Sequence, residues 1–170
     1  MTNVILLSRG YQAVVDAADY TDLSQHNWSA WMSPSGTVYA RRNMRRGGKR
    51  GTLYLHQQVL GYAPRGLEID HINGNSLDNR RCNLRFCTHQ QNSCNRLPNR
   101  TKLTKYKGVK KHNNCNRYEA KLKTLGKWHY LGLYKTQEEA ALAYNEAAKK
   151  LFGEFAHLNR IEEGRWKTLV

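Results

Sequence analysis

Acidic residues are scarce in this chain: 13 Asp and Glu stand against 28 Lys and Arg over 170 residues, a net charge of +15. An excess of that size points to a polyanionic partner, with nucleic acid first. An anionic membrane surface is the second candidate, but no basic amphipathic helix supports it. Long apolar runs are also missing and the mean hydropathy is −0.80, which excludes a membrane-spanning helix. The segment from Met1 to Leu7 is too short for a signal-peptide core and no cleavage site follows, so a cytoplasmic protein is expected. None of the four cysteines, Cys82, Cys87, Cys94 and Cys115, belongs to a Cys-x-x-Cys pair, so a zinc ribbon is not indicated. Cys82, Cys87 and Cys94 with His89 are the one combination suited to zinc, and free thiols are the expectation instead. With 39% hydrophobic and 10% aromatic residues, the chain has enough apolar material for one or two small domains.

The most informative stretch runs from Glu68 to Asn92. Glu68-Ile69-Asp70-His71-Ile72 alternates and is β-branched, as at the end of a strand. Asn73-Gly74-Asn75 signals a turn and Asp78-Asn79 continues a polar loop. A helix is predicted from Thr88, with Thr88 as N-cap and Gln91 as its capping-box partner, which sets Asn92 one turn in. The residue types suit metal-assisted phosphodiester hydrolysis. An acidic oxygen and an amide oxygen suit Mg²⁺, which keeps several waters, and a neutral imidazole beside it suits a general base near neutral pH. Taken alone, Asp-His before Asn-Gly is also what a capped turn looks like.

The segment from His56 to Asn92 resembles the HNH endonucleases, especially the phage and intron-encoded branch. The match is carried by Asp70-His71-Ile72-Asn73-Gly74, a polar loop, Asn83-Leu84-Arg85 and the helical Asn92. The resemblance implies that His71 is the general base, that Asp70 and Asn92 are metal ligands, and that Asn83 braces the loop. It also implies a ββα-metal fold, and products with 5′-phosphate and 3′-hydroxyl. Asn92 stands where other members carry His, which favours a hard cation, Mg²⁺ or Mn²⁺, over zinc. The homing branch implies a long asymmetric site in double-stranded DNA bound by a monomer, in the cytoplasm of a host cell where the gene is phage-borne.

Upstream, Val4 to Leu7, Tyr11 to Val15 and Thr37 to Arg41 are predicted strands, Asp19 to His26 a helix, and Trp28 and Trp31 core residues. Arg41, Arg42, Arg45, Arg46, Lys49 and Arg50 surround Gly47-Gly48 without an acidic residue. This predicts a basic hairpin, either a solvated loop or a phosphate-contacting arm. Thr52 to Leu60 reads as a strand passing into a short helix, with His56 packed or hydrogen-bonded. Residues 96–104 read as a linker whose Arg96, Arg100 and Lys102 suit a DNA backbone, with Pro98 ending the preceding helix.

Tyr106 to His112, Arg117 to Thr124 and Lys127 to Tyr134 then form three strand-like runs separated by turn signals, and a helix follows from a Thr136/Glu139 capping box to Gly153. Ala140, Tyr144, Ala147 and Leu151 are expected on its packed face. Leu131 and Leu133 are expected to pack, and Trp128 and Tyr130 to face outward. From Thr101 to Tyr134 nine Lys or Arg meet one Glu, so the sheet is the cationic element. Residues 105–159 resemble the AP2/ERF DNA-binding domain through Tyr106-Lys107-Gly108-Val109, Trp128-His129-Tyr130-Leu131-Gly132-Leu133-Tyr134, the Thr136 helix and Leu158-Asn159. That resemblance implies a three-stranded sheet laid in the major groove. Lys107, Lys110, His112, Arg117, Lys121, Lys123, Trp128 and Tyr130 are the implied contacts.

The expected fold class is α+β: an HNH nuclease domain with a β-rich N-terminal extension over residues 1–95, the linker, and a small antiparallel sheet packed on one helix over 105–159, with a tail at 160–170. The expected function is a metal-dependent DNA endonuclease. A catalytically inactive DNA-binding protein or regulator is the alternative.

Overall fold

The computed structural model describes residues 1–96 and 104–161. The chain divides into two compact units, Met1–Asn92 and Ser93–Val170. Of the predicted linker, Arg100, Lys102 and Pro98 lie outside the described residues, as does the tail beyond Ile161.

In the first unit, alternating apolar residues pair β1 (Thr2–Leu6) with β2 (Gln12–Asp16), and α1 (Ala17–Leu23) follows directly. A second sheet has the order β3-β4-β5, from β3 (Ser29–Met32), β4 (Val38–Arg46) and β5 (Lys49–Tyr54). The basic hairpin is therefore the β4–β5 pair, turning at Gly47 and Gly48, both with positive φ. The short helix α2 (Leu55–Leu60) leads through a loop to β6 (Leu67–His71), which pairs with β7 (Leu84–Thr88), and α3 (His89–Asn95) ends the run. The apolar core of Ile5, Leu7, Ala13, Val15, Leu23, Trp28, Ala40, Leu55, Val59 and Leu84 draws on β1, β2, α1, β4, α2 and β7. Ile69 of β6 packs against this core and Leu84 of its partner β7 belongs to it, so burial, at about 25 cal/mol per Å², ties the strand bearing the candidate site to the N-terminal sheets. Trp28 is core as expected, donating its indole N–H to Leu23 O at 2.9 Å, but Trp31 is only half-buried and lies outside that cluster.

The second unit is a sheet of order β10-β9-β8, built from β8 (Val109–Lys111), β9 (Tyr118–Thr124) and β10 (Lys127–Tyr134). The helix α4 (Gln137–Phe152) carries the expected capping box and stops at Gly153. Ala140, Ala141, Tyr144 and Ala148 are its buried residues, so small side chains bring it close to Val109, Ala120 and Leu122. Leu151 departs from expectation. It is 53% exposed, because the buried stripe runs through Ala148 and the chain turns at Gly153. Leu133 is also exposed: an irregularity between Tyr130 and Gly132 shifts the register, so Leu131 faces the core and Leu133 does not. Asn159 closes the unit. Its side chain accepts from Lys107 N at 2.6 Å and donates to Lys107 O at 3.0 Å, while its backbone exchanges two bonds with the Asn145 amide.

Candidate active site

Asp70 and His71 end β6, opposite Arg85 and Leu84. Neighbours on a strand face opposite ways, so the two side chains have different partners, although at this strand end the Asp70 charge still reaches the His71 ring. Asp70 is 5% exposed, and Arg85 donates to its Oδ2 through Nε and through the terminal guanidinium nitrogen, both at 2.9 Å. His71 is 7% exposed on the other side, where its Nε2 stands 3.4 Å from Asn79 Oδ1. Asn79 also donates from Nδ2 to Ser76 O, which assigns its oxygen to the histidine. An amide oxygen only accepts, so Nε2 carries the proton and Nδ1 carries the lone pair.

The loop between the strands is pinned by Asn83. Its backbone O accepts from Ile72 N at 2.9 Å, its Oδ1 accepts from Asn73 N at 2.9 Å, and its Nδ2 donates to Asp78 O at 2.7 Å. Asp78 in turn takes Arg80 at 2.7 and 2.6 Å and Asn73 Nδ2 at 2.8 Å. The Arg80 hydrogen bonds hold its carboxyl below the ordinary range. Asn79 N donates to Val14 O and Val14 N donates to Leu77 O, so the loop is stitched to β2.

A second imidazole lies beside the first. His56 packs edge to face on His71 at 5.3 Å and stacks on Tyr54 at 5.4 Å, and Tyr39 closes the group 6.4 Å from His71. Burial, with the His71 charge second, pushes His56 down to about 3. Burial also lowers His71, against the raising effects of Asn79, Asp70 and Asp78. Both rings are therefore neutral at physiological pH.

Thr88 caps α3 as expected, exchanging bonds with Gln91 at 2.8 and 3.2 Å. Asn92 then points its Nδ2 at Glu68 Oε2, 2.6 Å away, while Glu68 Oε1 meets His89 Nδ1 at 2.8 Å. Glu68 lies two residues before Asp70, hence on the same face of β6. Glu68, Asn79 and Arg85, and the contact of His56 with His71, were not assigned roles from the sequence. The period-two spacing to Asp70 is the signal that would have flagged Glu68. Among the described residues, no group of three His, Cys, Asp or Glu is spaced to hold a metal. All four cysteines are free thiols, and burial raises the Cys87 thiol to about 11.

In the second unit, Lys121 and Lys123 flank Trp128 at 5.2 and 5.6 Å from the ring centre, and Tyr130 lies opposite Lys121. Trp128 and Tyr130 are each 62% exposed. Lys110 and Arg117 are exposed, and His112 Nδ1 meets the Cys115 thiol at 3.4 Å. Lys107 stands apart from these. Its ammonium donates to the carbonyls of Cys94 and Arg96, and burial lowers it to about 8, which makes it a structural cation. In the hairpin, Arg41 lies over Trp31 at 5.0 Å and Arg45 is exposed, whereas Arg42 lies over Trp28 and donates twice to Gln58 Oε1 at 3.1 Å. The Arg46 side chain lies outside the described residues.

Asp70 and His71 at the end of β6, Asn83 in the connection to β7 and Asn92 in α3 all fall inside one stretch that is similar to a known family. Residues 55–94 match the family model of HNH endonucleases. An uncharacterized HNH endonuclease of Acanthamoeba polyphaga mimivirus is 38% identical over 117 residues, 66% of this chain and 60% of that protein. An AP2-like ethylene-responsive transcription factor of Arabidopsis thaliana is 50% identical over 48 residues, 27% of this chain and 14% of the factor. A second ethylene-responsive factor of that plant is 44% identical over 59 residues, 34% of this chain and 14% of the factor. The chain thus carries an HNH endonuclease segment and, in its C-terminal region, an AP2-like segment. It spans 60% of the viral relative and a small part of each plant factor. No helix among the described residues is long and apolar enough to cross a membrane.

Proposed function

We infer that the protein is a metal-dependent endonuclease of the homing type that hydrolyses phosphodiester bonds in double-stranded DNA and is anchored by β8–β10. The observation that carries this reading is His71: a buried imidazole held neutral, with Nε2–H committed to Asn79, at the end of a strand that also bears Asp70. In that tautomer Nδ1 takes the proton from the attacking water. Asn79 then stabilises the imidazolium by accepting from Nε2, and Asp78 lies close enough to favour the charge. Asn83 holds the loop that presents these groups.

The donor set fits a hard cation. Asp70 offers carboxylate oxygens, and Asn92, with its Nδ2 occupied by Glu68, offers Oδ1, so these two residues would hold Mg²⁺ or Mn²⁺. When bound, such an ion would stabilise the negative charge that develops on the phosphodiester and on the leaving oxygen. Arg85 fixes the rotamer of Asp70, and Glu68 fixes the amide of Asn92, so both ligands are oriented by neighbours.

For anchoring, Lys110, Arg117, Lys121 and Lys123 supply cations around Trp128 and Tyr130. Lysines predominate here, and they contact phosphate as point charges without the bidentate fork that reads guanine. DNA as partner and a monomer on a long site follow from the same reading. Incubation with supercoiled plasmid tests it. Nicking or linearisation should require Mg²⁺ and stop with EDTA. His71→Ala should lower the rate several hundredfold or more, within the roughly 10²–10⁴ range of general acid–base catalysis, with DNA affinity retained. Binding without cleavage by the intact chain would leave only a DNA-binding protein.

A further inference from the structure

The β3-β4-β5 sheet has two unlike faces. Cross-strand partners share a face, and residues two apart on a strand return to it. Arg41 lies opposite both Ser29 and Tyr54, Trp31 opposite Tyr39, and Arg45 opposite Arg50. One face therefore carries Trp31, Tyr39 and Tyr54, then Arg41, then Arg45 with Arg50. The other carries Ala40, which enters the apolar core, and Arg42, which is held by Trp28 and Gln58.

None of the three rings on the first face belongs to the core cluster. They pack on one another at 6.0 to 6.2 Å and reach the candidate site, since Tyr54 stacks on His56 and His56 meets His71. Arg41 rides on Trp31 at 5.0 Å from the ring centre, which fixes its guanidinium. No carboxylate occurs anywhere between Asp22 and Glu68, so nothing on these strands neutralises the arginines.

We propose that this face is a docking track for duplex DNA, along which Arg41, Arg45 and Arg50 hold backbone phosphates and lead the duplex to His71. The inference rests on the reading of the chain as a DNA endonuclease and adds where the flank of the cut is held. Charge selects a polyanion. The rings select a duplex over a single strand, because they are half-buried against each other and do not offer open stacking platforms. From Tyr39 to Arg45 the strand advances about 20 Å at ~3.3 Å per residue, equal to about six base pairs of B-DNA at 3.4 Å.

The test is the salt dependence of binding by the full chain to a labelled mixed-sequence duplex, with metal omitted. Neutralising three phosphate contacts in the Arg41→Ala/Arg45→Ala/Arg50→Ala variant should make the slope of log affinity against log salt shallower by about 2 to 3, at ~0.9 per phosphate. The corresponding triple Arg→Lys variant, which keeps the charges, should retain the slope, and this separates lost contacts from lost folding. Arg42→Ala should lower the melting temperature without changing the slope. An unchanged slope in the triple Ala variant, or an equal loss in Arg42→Ala, overturns the track. If the wild-type chain cuts DNA and the variants give either of those results, the track alone falls. One that neither binds nor cuts duplex DNA sinks the endonuclease reading with it. Equal binding to duplex RNA overturns the assignment of the occupant.

Discussion

His56 and His71 face each other at 5.3 Å, and their joint burial has a consequence for stability as well as for chemistry. Both titrate below the ordinary imidazole value of about 6.5, His56 at about 3. As pH falls below that value the unfolded chain gains protons that the folded chain refuses. Their contribution is therefore intact above pH ~6.5 and is lost as pH falls toward the folded values, by up to about 1.4 kcal/mol per pH unit for each ring. Denaturant unfolding of His56→Leu between about pH 6.5 and 4.5 should show a slope reduced by as much as that amount, while His71 and the similarly lowered His157 continue to contribute. A variant with the wild-type pH dependence would mean that His56 is not buried as a neutral ring. At this scale the sequence was half legible. Asp70, His71, Asn83 and Asn92 stand out as candidates because a short motif names them. Glu68, Asn79 and Arg85 do not, because their roles depend on which residue lies across a ladder or at the closure of a loop.

Elements were legible where local signals agree with packing. The strands near Val4, Tyr11 and Thr37, the Thr88 and Thr136 caps and the Leu125-Gly126 turn all appear, the last with φ of 49° and 78°, both positive as a two-residue hairpin turn requires. β3 was missed, since Ser29-Ala30-Trp31-Met32 does not alternate and is recognisable only once β4 lies beside it. Leu133 and Leu151 depart from the periodicity of their elements, which the register shift and the Gly153 stop break. Gly108 joins these levels. Its φ is +75°, and an added Cβ would come 2.1 Å from the Tyr144 ring and 2.6 Å from Lys121 O. Gly108→Ala thus meets backbone strain of about 1–2 kcal/mol together with overpacking of about 1–3 kcal/mol. The second unit should lose about 2–5 kcal/mol, and thermal unfolding followed by circular dichroism should show a drop of roughly 10 °C or more. A drop of only a degree or two would place Tyr144 elsewhere than over Gly108.

For the whole molecule, the question is whether both units grip the same duplex. Part of the excess of +15 lies on two structured surfaces, the Arg41/Arg45/Arg50 face of β4–β5 and the Lys110/Arg117/Lys121/Lys123 set around Trp128. Counterion release is counted per phosphate neutralised, so contributions from separate surfaces on one DNA add in the salt slope. Replacing the four C-terminal cations by Ala should make the slope shallower by about 3 to 4, at ~0.9 each, and combining them with the three hairpin substitutions should give about 6. The residues proposed for the chemistry, Asp70, His71, Asn83 and Asn92, all lie in the first unit. Cleavage at saturating protein should accordingly stay within about tenfold of wild type in the C-terminal set, because uniform binding is lost while transition-state interactions are kept. If the combined variant is no shallower than the hairpin variant, the C-terminal sheet does not contact the DNA held at His71, and anchoring falls to the N-terminal track alone.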